Sequence, residues 1–102
     1  MAHGRNKYQS RENRARVREV FLREWDLVGV AGNPEAKDEY DAYADRAYVM
    51  LMDERASAEA IATYLLEIAT MHMGLSRTVE LAARCDRTAR ALVALRPEFE
   101  TH

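Results

Sequence analysis

Five side chains hold most of the chemical possibility in this sequence: the carboxylates of Asp38, Asp41 and Asp45, the imidazole of His72 and the thiol of Cys85. The aspartates recur at i, i+3 and i+7, so on a helix they stack along one edge. Tyr48 adjoins that edge and Met52 continues it. Carboxylates stacked this way repel one another unless a cation, a basic neighbour or a basic partner offsets them. Four readings follow. The edge is plain solvated surface, or it pairs with an Arg11, Arg14 and Arg18 edge on the preceding helix. It could also be a docking face for a basic protein, with tyrosine supplying rigid contact area beside charge. A divalent-metal site is the fourth, but no carboxylate loop here has the cadence of a calcium hand.

His72 stands alone. It falls within an apolar helical arc, and His3 and His102 are terminal. The one acid–base pair worth testing joins it to Glu24, a carboxylate within the apolar arc of the first helix. With Asp26 nearby, these residues define a hydrolytic or small-molecule alternative. A buried Glu24 requires a donor, and without one its pKa rises. Cys85 sits on an apolar face beside Leu81, Thr88 and Leu92, where a thiol is inert rather than nucleophilic. The segment Val28-Gly29-Val30-Ala31-Gly32-Asn33 bears glycines, yet it follows a helix and lacks the lysine and hydroxyl of a phosphate-binding loop. It reads as a helix connection. Trp25 is then a core anchor whose indole N–H needs an acceptor, and Asp26 braces the turn.

The elements that must position these groups are helices. No segment alternates as a strand does. A first helix starts after Ser10 as N-cap and runs to about residue 26, with Val17, Val20, Phe21, Trp25 and Val28 on one face. Pro34, capped by Asn33, opens a second that extends to about Glu54. Its apolar arc holds Tyr40, Tyr43, Ala44, Ala47, Tyr48, Met50 and Leu51. Ser57 caps a third, with Ile61, Tyr64, Leu65, Ile68, Met71 and His72 inward. Gly74 ends that helix and Ser76 caps a fourth, which presents Leu81, Ala82, Cys85, Ala89, Leu92 and Leu95 and stops at Pro97. The predicted architecture is all-α: four amphipathic helices in a small antiparallel bundle, one domain over residues 1–102, with residues 1–9 as a flexible arm.

The totals agree with a globular chain: 102 residues, 48% hydrophobic and 31% charged, with a net charge of −2. That charge offers no global argument for nucleic acid or an anionic membrane. The arginines also lack the interleaved aromatics of a single-strand binder. One cysteine cannot form an internal disulfide, which favours a reducing cytoplasm. No apolar run reaches the roughly 18 residues of a membrane span, and residues 1–10 have no apolar signal-peptide core. Charge is nonetheless polarised. Residues 1–24 hold seven bases against three acids, and residues 35–54 hold seven acids against two bases.

"EWDLVGV", then "DEYDAY" and a later "MGL", resembles a small bacterial all-helical family without assigned catalysis. Its members carry Trp-Asp-Pro-Ile/Leu-Gly-Ile/Val followed by Asp-Glu-Tyr-Asp. The matching positions are Trp25, Asp26, Gly29, Val30, Asp38, Glu39, Tyr40 and Asp41, and Leu27 stands where that family has proline. The likeness spans about residues 17 to 75 and implies an all-helical fold. The acidic, tyrosine-bearing surface is also similar in style to immunity proteins that neutralise basic nuclease toxins.

The expectation is a non-enzymatic protein-interaction module, in its most concrete version an immunity-type antitoxin. Its binding face is Trp25, Asp26, Gly29, Asp38, Asp41, Asp45 and Tyr48, it has no cofactor or metal, and its partner is a basic protein. The alternatives are the Glu24/Asp26/His72 hydrolytic protein and a structural homodimer using Val49, Leu66 and Met73.

Overall fold

Ser57 is extended (φ −74°, ψ 165°) and its hydroxyl accepts the Ala60 N–H at 3.1 Å, satisfying one orphan donor of the helix it opens. In the computed structural model, residues 7–25 and 34–100 are described, together with the side chains of residues 8–25 and 39–100. The helices are α1 (Lys7–Val20), α2 (Pro34–Met52), α3 (Ala58–Glu67) and α4 (Val79–Glu100). α1 and α3 each run on into a π-helical turn, Phe21–Trp25 and Ile68–His72 respectively. No strand occurs among the described residues, and the all-α bundle is as expected.

The π turns correct two faces of the sequence reading. A π turn closes with an i→i+5 bond and so inserts one residue into the helical phase. In an unbroken α-helix, residues 61, 65, 68 and 72 share a face. Here the Met73 N–H donates to Ile68 O at 3.0 Å, and Met73 takes the inward position. His72 is consequently exposed, and Met71 is 78% exposed rather than buried. In the π turn after α1, Trp25 keeps its expected inward place while Glu24, expected within the apolar arc, is partly exposed.

Helix ends also differ from expectation. α1 is already helical at Lys7, so Ser10 lies inside it. The Thr78 hydroxyl, not Ser76, caps α4 by accepting the Leu81 N–H at 3.0 Å. α4 continues through Pro97 to Glu100. The proline has no N–H for the helix, but Phe99 beyond it is fully buried, edge-on to Tyr48 (5.9 Å) and beneath the Arg16 guanidinium (5.8 Å). That burial keeps the last turn in place.

α2 and α3 close alike. In each, an i→i+5 bond (Glu54 to Val49 O, Met73 to Ile68 O) is followed by a residue at positive φ and then an i→i+6 bond (Ala56 to Met50 O, Leu75 to Ala69 O). The positive-φ residue is Gly74 (72°) after α3 but Arg55 (51°) after α2. A long side chain there is uncommon, and the corner is braced from α4. Arg96 donates through Nε to Leu51 O at 2.9 Å and through Nη2 to Ala56 O. One guanidinium thus satisfies carbonyls left over at the end of α2.

All four helices feed one core. Val17, Val20, Phe21 and Trp25 meet Tyr40, Ala44, Ala47 and Leu51 of α2, Ile61, Leu65, Ile68 and Ala69 of the α3 segment, and Leu81, Cys85, Ala89, Leu92 and Phe99 of α4. α1 packs mainly on α2, and α3 on α4, whose short connection makes them an antiparallel pair. Buried side-chain nitrogens and oxygens are satisfied throughout the described residues. Asn13, 1% exposed, donates to the Tyr48 hydroxyl (3.2 Å) and accepts from Gln9 (2.9 Å).

Candidate functional site

α1 and α2 lie side by side, and their facing edges carry opposite charge. Arg18 Nε stands 3.7 Å from Asp41 Oδ1, Arg18 Nη1 stands 3.8 Å from Asp45 Oδ1, and Arg14 Nε stands 3.9 Å from Asp45 Oδ1. These are loose, partly exposed pairs, worth roughly 0–1 kcal/mol each. Their consequence is electrostatic: the Asp41/Asp45 edge is offset by the chain's own arginines, the internal pairing that the spacing allowed. Asp38 lies on α2, but its side chain is outside the described residues, as are Asp26, Gly29, Val28 and Val30.

Two members of the expected face are corrected by burial. Tyr48 is only 7% exposed, and its hydroxyl is engaged by Asn13. It faces the α1–α2–α4 core because it shares the arc of Ala44, Ala47 and Leu51, and it cannot offer its ring to a partner. Trp25 is 0% exposed, with its Nε1–H donating to Cys85 Sγ at 3.3 Å. It is the core anchor, edge-on to Phe21 at 5.1 Å and tilted against Tyr40 at 5.5 Å. Burial pushes the Cys85 thiol up, an effect opposed by the Trp25 N–H and the nearby Arg84. The thiol is therefore held neutral.

The pairings behind the hydrolytic alternative do not form among the described residues. Glu24 pairs with its neighbour Arg23 at 3.1 Å. His72 instead lies 6.4 Å from the Tyr43 ring. The Tyr43 phenol is raised by partial burial and by Glu39 one turn before it. Tyr64, whose hydroxyl donates to Tyr43 O at 3.3 Å, is pushed up to about 12 by burial. No three histidine, cysteine, aspartate or glutamate side chains come together among the described residues. Of the apolar residues set aside for a dimer surface, Leu66 and Met73 pack against the core and only Val49 is exposed.

What the structure adds is a groove beside the offset acids. It holds about 220 Å³ between α1 and α2 and is lined by Ala15, Arg18, Glu19, Phe21, Leu22, Tyr40 and Asp41. Phe21 and Tyr40 form an apolar floor, and Leu22 stands 38% exposed at the rim. Glu19 is exposed, without an ion pair among the described residues. Leu22 was the available signal in the sequence: an aliphatic residue directly after Phe21 lies off the core arc and has no core neighbour to explain it. No helix among the described residues is long and apolar enough to cross a membrane. Comparison with protein-family models, curated proteins and solved structures finds no match.

Proposed function

We propose that the protein is a non-enzymatic interaction module that seats a side chain of a basic partner protein in the α1–α2 groove. The observation that supports this is the pairing of an apolar floor (Phe21, Tyr40) and an exposed Leu22 with Glu19 on one rim, which has no ion pair among the described residues. Such a site favours an aliphatic or aromatic anchor flanked by lysine or arginine: the anchor displaces water from the floor while the base meets Glu19. Asp41 contributes less than its charge suggests, because Arg18 already faces it. An immunity-type inhibitor of a basic nuclease, acting in the cytoplasm, is the concrete version of this reading.

The test is affinity capture with the wild-type chain, then calorimetry with the purified captured protein. Glu19→Lys with Leu22→Asp leaves the melting temperature nearly unchanged, since both sites are surface positions. The same variant loses the partner. Full affinity in the double variant refutes the groove, and a captured protein without nuclease activity that the chain suppresses refutes the immunity version.

A further inference from the structure

The internal pairing of α1 with α2 consumes much of the charge polarity of the N-terminal half, and α4 carries cations that no such pairing takes up among the described residues. Residues 77–90 carry four arginines against two acids. Arg90 is taken by Asp86 at 2.9 Å, whereas Arg84 and Arg87 are exposed and have no ion pair among the described residues. Both line a second groove, of about 470 Å³, together with Val79, Glu80, Leu81 and Ala83. Val79 is 83% exposed at its edge. Two guanidiniums one helical turn apart thus stand over an aliphatic surface, with Glu80 lining the same groove but in no ion pair with either among the described residues.

We infer that the first half of α4 docks an acidic peptide segment of a partner protein, one that presents two carboxylates a helical turn apart and an aliphatic anchor beside them. Arg84 and Arg87 are i, i+3 neighbours, so their Cβ atoms lie roughly 5–6 Å apart. That spacing matches two acids at i, i+3 or i, i+4 on a partner helix. Guanidinium forks bind carboxylates bidentately, which gives register as well as attraction. Val79, Leu81 and Ala83 receive the anchor. A nucleic-acid strand fits worse. No aromatic side chain lines the groove for a base to stack upon. This surface lies on a different helix from the α1–α2 groove, and each proposal stands or falls alone.

The experiment is fluorescence anisotropy with a labelled synthetic helix that carries glutamates and leucines on one face, titrated with the full chain. Control probes are the same helix with lysine for glutamate, the same helix with serine for leucine, and a single-stranded oligonucleotide. The acidic helix binds with an affinity that falls as salt is raised, and amide shifts on titration cluster at residues 79–87. Arg84→Glu with Arg87→Glu weakens it by about tenfold or more, the effect of removing two modest ion pairs together. Arg11→Glu with Arg23→Glu, an equal change in net charge on α1, leaves it nearly unchanged. Equal weakening by both double variants overturns the proposal. So does equal binding of the serine-substituted helix, or tighter binding of the oligonucleotide.

Discussion

Replacing Cys85 with alanine removes the acceptor of the buried Trp25 indole N–H, and the consequence can be worked from its surroundings. Trp25 is fully buried and Cys85 is 1% exposed, so no water replaces the missing sulfur. A buried donor left unpaired costs about 1–3 kcal/mol, and the small void where the sulfur stood acts in the same direction. Taking about 2 kcal/mol, and about 4–8 °C per kcal/mol for a domain of this size, the melting temperature falls by roughly 8–16 °C. Serine keeps an acceptor at that position. Its own hydroxyl proton can bond back to a carbonyl one turn earlier, as Thr88 does to Arg84 O at 2.8 Å. Cys85→Ser is therefore milder than Cys85→Ala. The assay is urea unfolding followed by the fluorescence of the single tryptophan, with circular dichroism for variants that lack it. In the Trp25→Phe background, which has no indole donor, the Cys85→Ala penalty shrinks by about 1 kcal/mol. Equal penalties in both backgrounds refute the claim that the N–H···S contact stabilises the core.

Two further expectations address the helix ends and the tyrosines. Gly74→Ala destabilises by about 1–2 kcal/mol, from the left-handed conformation alone, because a Cβ built there meets nothing within 4 Å; calorimetric melting checks it, and an unchanged melting temperature shows that the α3 end relaxes freely. Tyr64 has a folded pKa raised from 10.0 to about 12. Its contribution is complete below pH 10.0 and is lost as pH rises toward about 12, because only the unfolded chain ionises in that window. Urea midpoints for the wild type fall across it more steeply than those of Tyr64→Phe, and parallel slopes refute the assignment.

The helices were legible because their punctuation is local. Ser57, Pro34 and Gly74 each act within a turn of themselves, and all three mark real boundaries. Phase was less legible. The inward arc assigned to α3 holds until its π turn, after which Met71 and His72 slip outward, whereas in α1 Phe21 and Trp25 keep their expected places and Glu24 leaves the arc. A 3.6-residue period cannot register that slip, since whether an i→i+5 bond forms depends on which neighbour offers the better socket. Met73 found its own in tertiary contacts. Pro97 misled for a related reason. A helix stop was expected there from backbone chemistry, and the burial of Phe99 two residues on outweighs it.

The same distinction governs the candidate surface. A helical wheel places Asp41, Asp45 and Tyr48 along neighbouring positions, but it shows nothing of the helix that lies opposite. α1 supplies Arg14 and Arg18 to the acids and Asn13 to the phenol, so one helix face disperses an apparent hot spot into an ion-pair seam and a core hydrogen bond. Charge that finds a partner within the chain has less to give another molecule, because docking must first displace the resident pair. Both proposed surfaces rest instead on charge without an ion pair among the described residues: Glu19 beside Leu22 on α1, and Arg84 with Arg87 beside Val79 on α4. These two sets have opposite sign, and each adjoins an exposed aliphatic residue. A single partner that bridged both would have to be basic at one end and acidic at the other, so the salt dependence of its binding would be shallow compared with that of either peptide alone.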